Sequence, residues 1–399
     1  MACYPHNAAM LHLLYSADYE LYLGANLRPE PEILIQPTSR LLERADDLGI
    51  PVTLFADVAC LWRYREWGEA AFPAAAEAQW VDALRRGHDI QLHLHPHWLV
   101  TSRGEGGSLR FDPAWFLLGN HSPDPDEVFH YAAGLLKRGR NYLEGLLNNG
   151  SNGYECRAFR AGGYGLQPAA GAILRAQLAA GVHIDSSIIP GFVHRSATHA
   201  VDFSRVARAA NPRLTPEGGL GRDGGPGGIL EIPIGAALLP QEILARTHLW
   251  DALTRGWAIL TDSGRRRAPR GRSLFGDQEP GAASQTAPPR WRRAYWRIWN
   301  RLHTRFVRLE LTAHPPGALL AALEEYLKPF DWHRDEVFVS LNCHPKGLEQ
   351  RHLRALARFH RGLRRRYGGY LNTPTFGEVA RRVGPPVNSP SGGSAPVPP

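Results

Sequence analysis

Three histidines fall within five residues, His93-Leu-His95-Pro-His97, at the end of the apolar run Asp89–Leu94. Neutral imidazole is the commonest metal ligand, and zinc-type sites join two or three imidazoles to a carboxylate and keep one position open. On a straight strand all three rings share a face, but His93 and His97 then lie roughly 13 Å apart at about 3.3 Å per residue. No single ion spans that distance. Two solutions stay open. Pro96 breaks the ladder, so the chain can turn and bring His97 back beside His93; or His93 and His95 act as an H-x-H pair. Near the N-terminus, Asp18-Tyr-Glu20 places two carboxylates on one face of a strand. One can hold a cation while the other accepts a proton from the cation's water, the division of labour that metal-assisted hydrolysis needs.

The elements that must position these groups alternate. His12–Tyr15, Pro51–Ala56, Asp89–Leu94, Arg157–Arg160, Val182–Ile184, Ile229–Ile234, Phe306–Leu311 and Val337–Leu341 read as strands. Between or after them, Pro37–Leu48, Pro73–Arg86, Asp124–Leu147, Pro168–Ala180, Gln241–Leu253, Leu319–Leu327 and Leu348–Tyr367 read as helices. Such alternation implies a parallel sheet, closed as a β/α barrel or open and doubly wound. Asp18, His93, Arg160, Asp185 and His344 each end a different strand, and a barrel gathers such ends over one mouth. The barrel is therefore the expected fold, as a single domain over residues 1–384. Thr101–Phe111 and Asn211–Gly228 read as surface loops, 261–308 as a basic, aromatic insertion, and 385–399 as a disordered Pro/Ser/Gly-rich tail.

Five ordered motifs then resemble one known family. Asp18-x-Glu20, Asp89-Ile-Gln-Leu-His93-x-x-x-His97, Phe159-Arg160-x-x-x-Tyr164-Gly, Asp185-Ser-Ser and Leu341-x-x-His344-Pro are similar to those of the polysaccharide deacetylases, the NodB-homology or carbohydrate esterase 4 group. The resemblance implies a distorted seven-stranded β/α barrel that removes an N-acetyl or other acyl group from a sugar or glycan precursor. By position it makes Asp18 the general base, with Glu20, His93 and His97 holding a divalent metal, zinc above all or else cobalt or nickel. Arg160 would keep Asp18 ionised through a bidentate pair, and His344 would be the general acid, held charged by Asp185. A backbone N–H near Gly163–Tyr164 would help stabilise the oxyanion. Three departures mark this chain: Asp-x-Glu replaces adjacent aspartates, Leu94 stands where a small hydroxyl residue is usual, and Gly162 where proline is common. His95, between the two expected ligands, is a replacement ligand or a substrate contact.

Composition narrows the alternatives. Apolar residues at 43% and charged ones at 21% exclude a disordered or collagen-like chain. Four cysteines without a C-x-x-C pair exclude a disulfide framework and, with no signal peptide and no long apolar run, point to a cytoplasmic protein without a membrane span. The net charge of +8 comes from 46 Lys+Arg against 38 Asp+Glu, nearly all arginine, and reads as a solvated basic surface. No motif supports a nucleic-acid partner. Gly219-Leu-Gly-Arg-Asp-Gly224 matches a dinucleotide fingerprint but precedes a strand instead of opening a helix. Two rival functions are a metal-dependent amidohydrolase of non-sugar amides using His93 and His95, and a glycan-binding barrel without turnover.

Overall fold

The computed structural model describes residues 11–22, 28–104, 109–148, 153–196, 200–247, 249 and 306–386. The expected tail from 387 on, and all of the expected insertion before Phe306, lie outside these residues. The main sheet is built from β1 (Leu11–Tyr19), β2 (Thr53–Asp57), β3 (Asp89–Leu94), β4 (Ala158–Ala161), β5 (Ile184–Asp185), β6 (Arg213–Leu214), β7 (Ile229–Glu231), β8 (Val337–Leu341) and β9 (Leu371–Asn372). Its order is β6-β7-β5-β4-β3-β2-β1-β8, with β9 also beside β1, and every pair except β6-β7 is parallel.

This is a mixed α/β fold around a curled sheet. The ladder of strands does not close. Past β7 the chain meets β8 through one parallel bridge, Ile234 to Ser340, and Glu310 bridges Asn342 just beyond.

The described helices include α1 (Gln36–Leu48), α2 (Val58–Glu66), α3 (Ala71–Arg85), α4 (Pro125–Leu147), α5 (Ala170–Ala179), α6 (Pro316–Leu327), α7 (Gln350–Tyr367) and α8 (Phe376–Val383). Their ends follow local chemistry. Gly49 takes φ 64° and stops α1, and the Asp124 carboxylate accepts the Asp126 N–H at 2.9 Å to start α4. Sequence periodicity finds α1, α3, α4, α5, α6 and α7, but it misses α2, whose first four residues Val58–Leu61 are all buried and show no polar face.

Alternation along the strands sorts side chains into two environments. Leu14, Phe55, Ala158, Ile184, Leu230, Ile232 and Phe338 share one face with Phe376 of α8, which plugs it from below. Along the same strands and in the same parity come Ser16, Asp18, Arg160, Ser186, Ser340 and Asn342, hydrogen-bonded to one another. The opposite face packs under the helices in the larger apolar cluster. The inner face thus changes from apolar to polar toward the strand C-termini, where the candidate groups gather.

Candidate active site

Arg160 organises the inner polar layer. Its guanidinium is wholly buried over the Phe55 ring, 4.1 Å from the centroid. Nη1 donates to Asp18 Oδ1 at 2.7 Å, to Asn342 Oδ1 at 2.9 Å and to Ser16 Oγ at 3.0 Å. Nε and Nη2 donate to the Ser186 carbonyl and hydroxyl, each at 2.8 Å. The expected bidentate grip on Asp18 is therefore a single N–H contact, because Ser186 engages the other edge. The Asn342 amide donates to Asp18 Oδ2 at 2.9 Å. Burial opposes ionisation of Asp18, but Arg160 and then His344 overcome it and hold the carboxyl well below the usual range.

Glu20, at the end of β1, faces a ring of nitrogens. Its Oε2 contacts Nε2 of His95 and lies 3.5 Å from Nε2 of His93. Its Oε1 accepts from the Lys346 ammonium at 2.8 Å and lies 3.4 Å from His344 Nε2. Burial is again outweighed, here chiefly by Lys346 and His95, so Glu20 is ionised. His93 Nδ1 donates to the Arg160 carbonyl at 2.7 Å, which leaves Nε2 facing Glu20; burial opposes the charged ring, but Glu20 and Asp18 raise its pKa.

The sequence expectation of His97 as a ligand does not match this geometry. Leu94 ends β3 and Pro96 opens a tight 3-10 turn, Pro96–Val100; His97 there lies 5.3 Å from the His95 ring but joins neither group of converging ligand atoms. Its ring stacks on Phe116 at 5.6 Å and meets Phe111 at 5.2 Å, and neither nitrogen has a hydrogen-bond partner. Burial and the neighbouring His95 push its pKa well down. His95 occupies the position next to Glu20 instead. It fits because residue 162 is glycine: a Cβ there would sit 2.6 Å from His95 Nδ1 and 2.4 Å from the Leu94 carbonyl oxygen.

Asp185 is the second misplacement. It falls one residue out of phase with the inner face, so its side chain lies under the helices and never reaches His344. There Gln177 donates to it at 2.8 Å, the Ser187 N–H at 2.8 Å, and it hydrogen-bonds Glu231 of β7. Its expected partner has another carboxylate: Glu310 Oε2 lies 3.2 Å from His344 Nδ1. His344 Nε2 in turn points at Asp18 Oδ2, 3.3 Å away. Burial disfavours the imidazolium, but Glu310 and Asp18 raise His344 to about 9. Tyr164, expected near an oxyanion, is buried with φ 59°, a left-handed conformation that non-glycine residues rarely adopt.

Sequence reasoning also missed Asp57, Asn342 and Lys346. Asp57 sits opposite His93 in the β2–β3 register and accepts the His95 N–H at 3.3 Å. Register would have found it, and the parity of Asn342 and Lys346 with His344 would have found those two.

Two groups of ligand atoms lie within 4.8 Å of one another: Glu20, His93 and His95, and Asp18, Glu20 and His344. Only the first suits a cation. Its His93 Nε2 is buried without a hydrogen-bond partner and converges with an imidazole nitrogen and a carboxylate oxygen, an acceptor-rich set that demands positive charge. The second already carries Arg160 on Asp18 and a charged His344, while Lys346, on Glu20 Oε1, is common to both.

No family model matches the chain, and no curated protein does. Among solved structures it is similar to a crystal structure named "putative polysaccharide deacetylase from Mycobacterium smegmatis". That likeness has a TM-score of 0.42 at 13% identity, over 96% of this chain and 92% of the other.

Proposed function

We propose that the chain is a metal-dependent hydrolase that removes an N-acetyl or other acyl group from a sugar or glycan precursor. One observation carries this reading: an ionised Asp18 fixed by Arg160 lies beside a Glu20–His93–His95 ligand set and faces a charged His344 backed by Glu310. The fold that goes with it is a distorted seven-stranded barrel, supported by the Ile234 to Ser340 bridge.

Glu20 Oε2, His93 Nε2 and His95 Nε2 would hold the ion, with zinc favoured by the nitrogen-rich set. A divalent ion there would polarise an acyl carbonyl and acidify water. Asp18 Oδ2 is the site for the proton removed from that water, because Arg160 occupies Oδ1. His344 Nε2 is the site that gives a proton to the departing nitrogen. Since that atom now rests 3.3 Å from Asp18, the substrate amide must part acid from base as it enters. Glu310 keeps the imidazole oriented while this happens.

The test is elemental analysis of wild type, His93→Ala/His95→Ala and His97→Ala, followed by assays of acetate release from N-acetylated sugars. About one zinc, cobalt or nickel per chain in wild type and His97→Ala, lost from the double variant, is the expected result. Wild type that takes up no added metal would sink the reading.

The use of His95 in place of His97 also favours a second reading, an amidohydrolase of non-sugar amides. Faster turnover of small N-acyl amides than of N-acetylated sugars would select it.

A further inference from the structure

Helix α7 carries seven arginines and no acidic residue within its 18 residues, whereas the whole chain nearly balances 46 basic against 38 acidic side chains. The excess is positional as well as compositional. Arg351, Arg354, Arg358, Arg361 and Arg365 recur at intervals of three and four, which puts them in one stripe about 21 Å long at 1.5 Å per residue. The reverse face is buried through Leu353, Leu356, Phe359, Leu363 and Tyr367, so the stripe is the outward ridge of a docked helix.

Neighbouring acids neutralise only part of it. Glu349 pairs with Arg351 at 3.2 Å and Glu324 of α6 with Arg366. Glu325 of α6 is engaged by Lys328, and Asp47 of α1 by Arg44. Arg354, Arg361, Arg364 and Arg365 are exposed and have no acidic partner among the described residues.

A second observation lies at the C-terminal end of the same helix. Trp332 packs edge-on against Tyr367 at 5.3 Å and Tyr370 at 6.0 Å, and Tyr370 is 38% exposed. Nucleic-acid grooves interleave cations with stacking aromatics. Here a convex cationic ridge ends in an amphipathic Trp/Tyr pair, the combination that favours the headgroup layer of an anionic bilayer.

We propose that the outward face of α7, with Tyr370 beside its end, docks the protein on anionic phospholipid surfaces. The inference stands apart from the hydrolase reading. No described helix is long and apolar enough to cross a membrane, so the attachment is peripheral.

Sedimentation of the full chain with vesicles tests this, using phosphatidylcholine alone against phosphatidylcholine with about a third phosphatidylglycerol, at low and high salt. Binding is expected only to the anionic vesicles and only at low salt. Arg354→Glu/Arg361→Glu/Arg365→Glu should weaken it on the order of a hundredfold. The milder triple Gln variant should weaken it less, with thermal melts showing both variants folded. Acetate release from a soluble N-acetylated sugar should stay unchanged in both. Absent vesicle binding, equal binding to neutral vesicles, binding retained in the Glu variant, or arginine-dependent binding to a single-stranded oligonucleotide but not to vesicles would each overturn the proposal.

Discussion

Two buried aspartates on separate strands of one sheet, β1 and β5, meet opposite kinds of partner. Asp18 on the inner face is ionised beside Arg160, whereas Asp185 on the outer face shares its surroundings with Glu231. Burial pushes both aspartates toward the neutral form, so burial does not decide between them. The partner does. A guanidinium 2.7 Å away offsets the desolvation of Asp18. Burial and then the Asp185 charge instead raise Glu231 well above the usual range, so a proton stays on the pair. The first arrangement keeps a base ready for chemistry; the second ties β5 to β7 beneath the helices.

The strongest way to break the comparison is Arg160→Met. It leaves Asp18 as an uncompensated buried charge, and chemical denaturation should show a loss of about 3–5 kcal/mol. An unchanged midpoint would mean that Asp18 does not depend on its cation. Next comes the outer pair. A carboxyl whose pKa is raised by folding stabilises fully below its unfolded pKa and loses that contribution as pH climbs through the folded value. Wild-type stability should therefore fall from mildly acidic to alkaline pH, by up to about 1.4 kcal/mol per pH unit from this pair. Glu231→Gln should flatten the slope. Asp18 has the reverse sign: its contribution is present above pH 4 or so and lost as pH falls further.

A smaller effect sharpens the inner site. In metal-stripped protein, Glu310→Gln should move the His344 titration, read by NMR, from about 9 toward ordinary imidazole values. Asp185→Asn should leave it in place. The smallest effect is expected from His97→Phe. Its imidazole has no hydrogen-bond partner to lose, so stability should change by less than about 1 kcal/mol and metal content not at all.

Much of this was legible in the sequence, for a physical reason. Asp18, His93, Arg160 and His344 end strands in matching parity, and parity is what the period-two pattern records. Asp185 failed by a single residue, enough to send its side chain to the other face; Ser186, beside it, is the residue that touches Arg160. The turn at Pro96 was expected, but it seats His97 against Phe111 and Phe116, and turn direction is not encoded in alternation. Glu310 was invisible for a different reason. It stands past the end of its short strand and is brought to the site by one bridge to Asn342, a tertiary contact with no local signature. The contact between the two ends of the sheet rests on an equally sparse bridge, Ile234 to Ser340, which no periodicity announces.

Gly162 links two of the departures from the deacetylase motif. The His95 ring occupies the volume that any side chain at 162 would claim. An imidazole at 95 and a bare backbone at 162 are therefore a single steric unit, although 67 positions separate them. Any side chain placed at 162 would have to displace that ring or shift the Leu94 carbonyl.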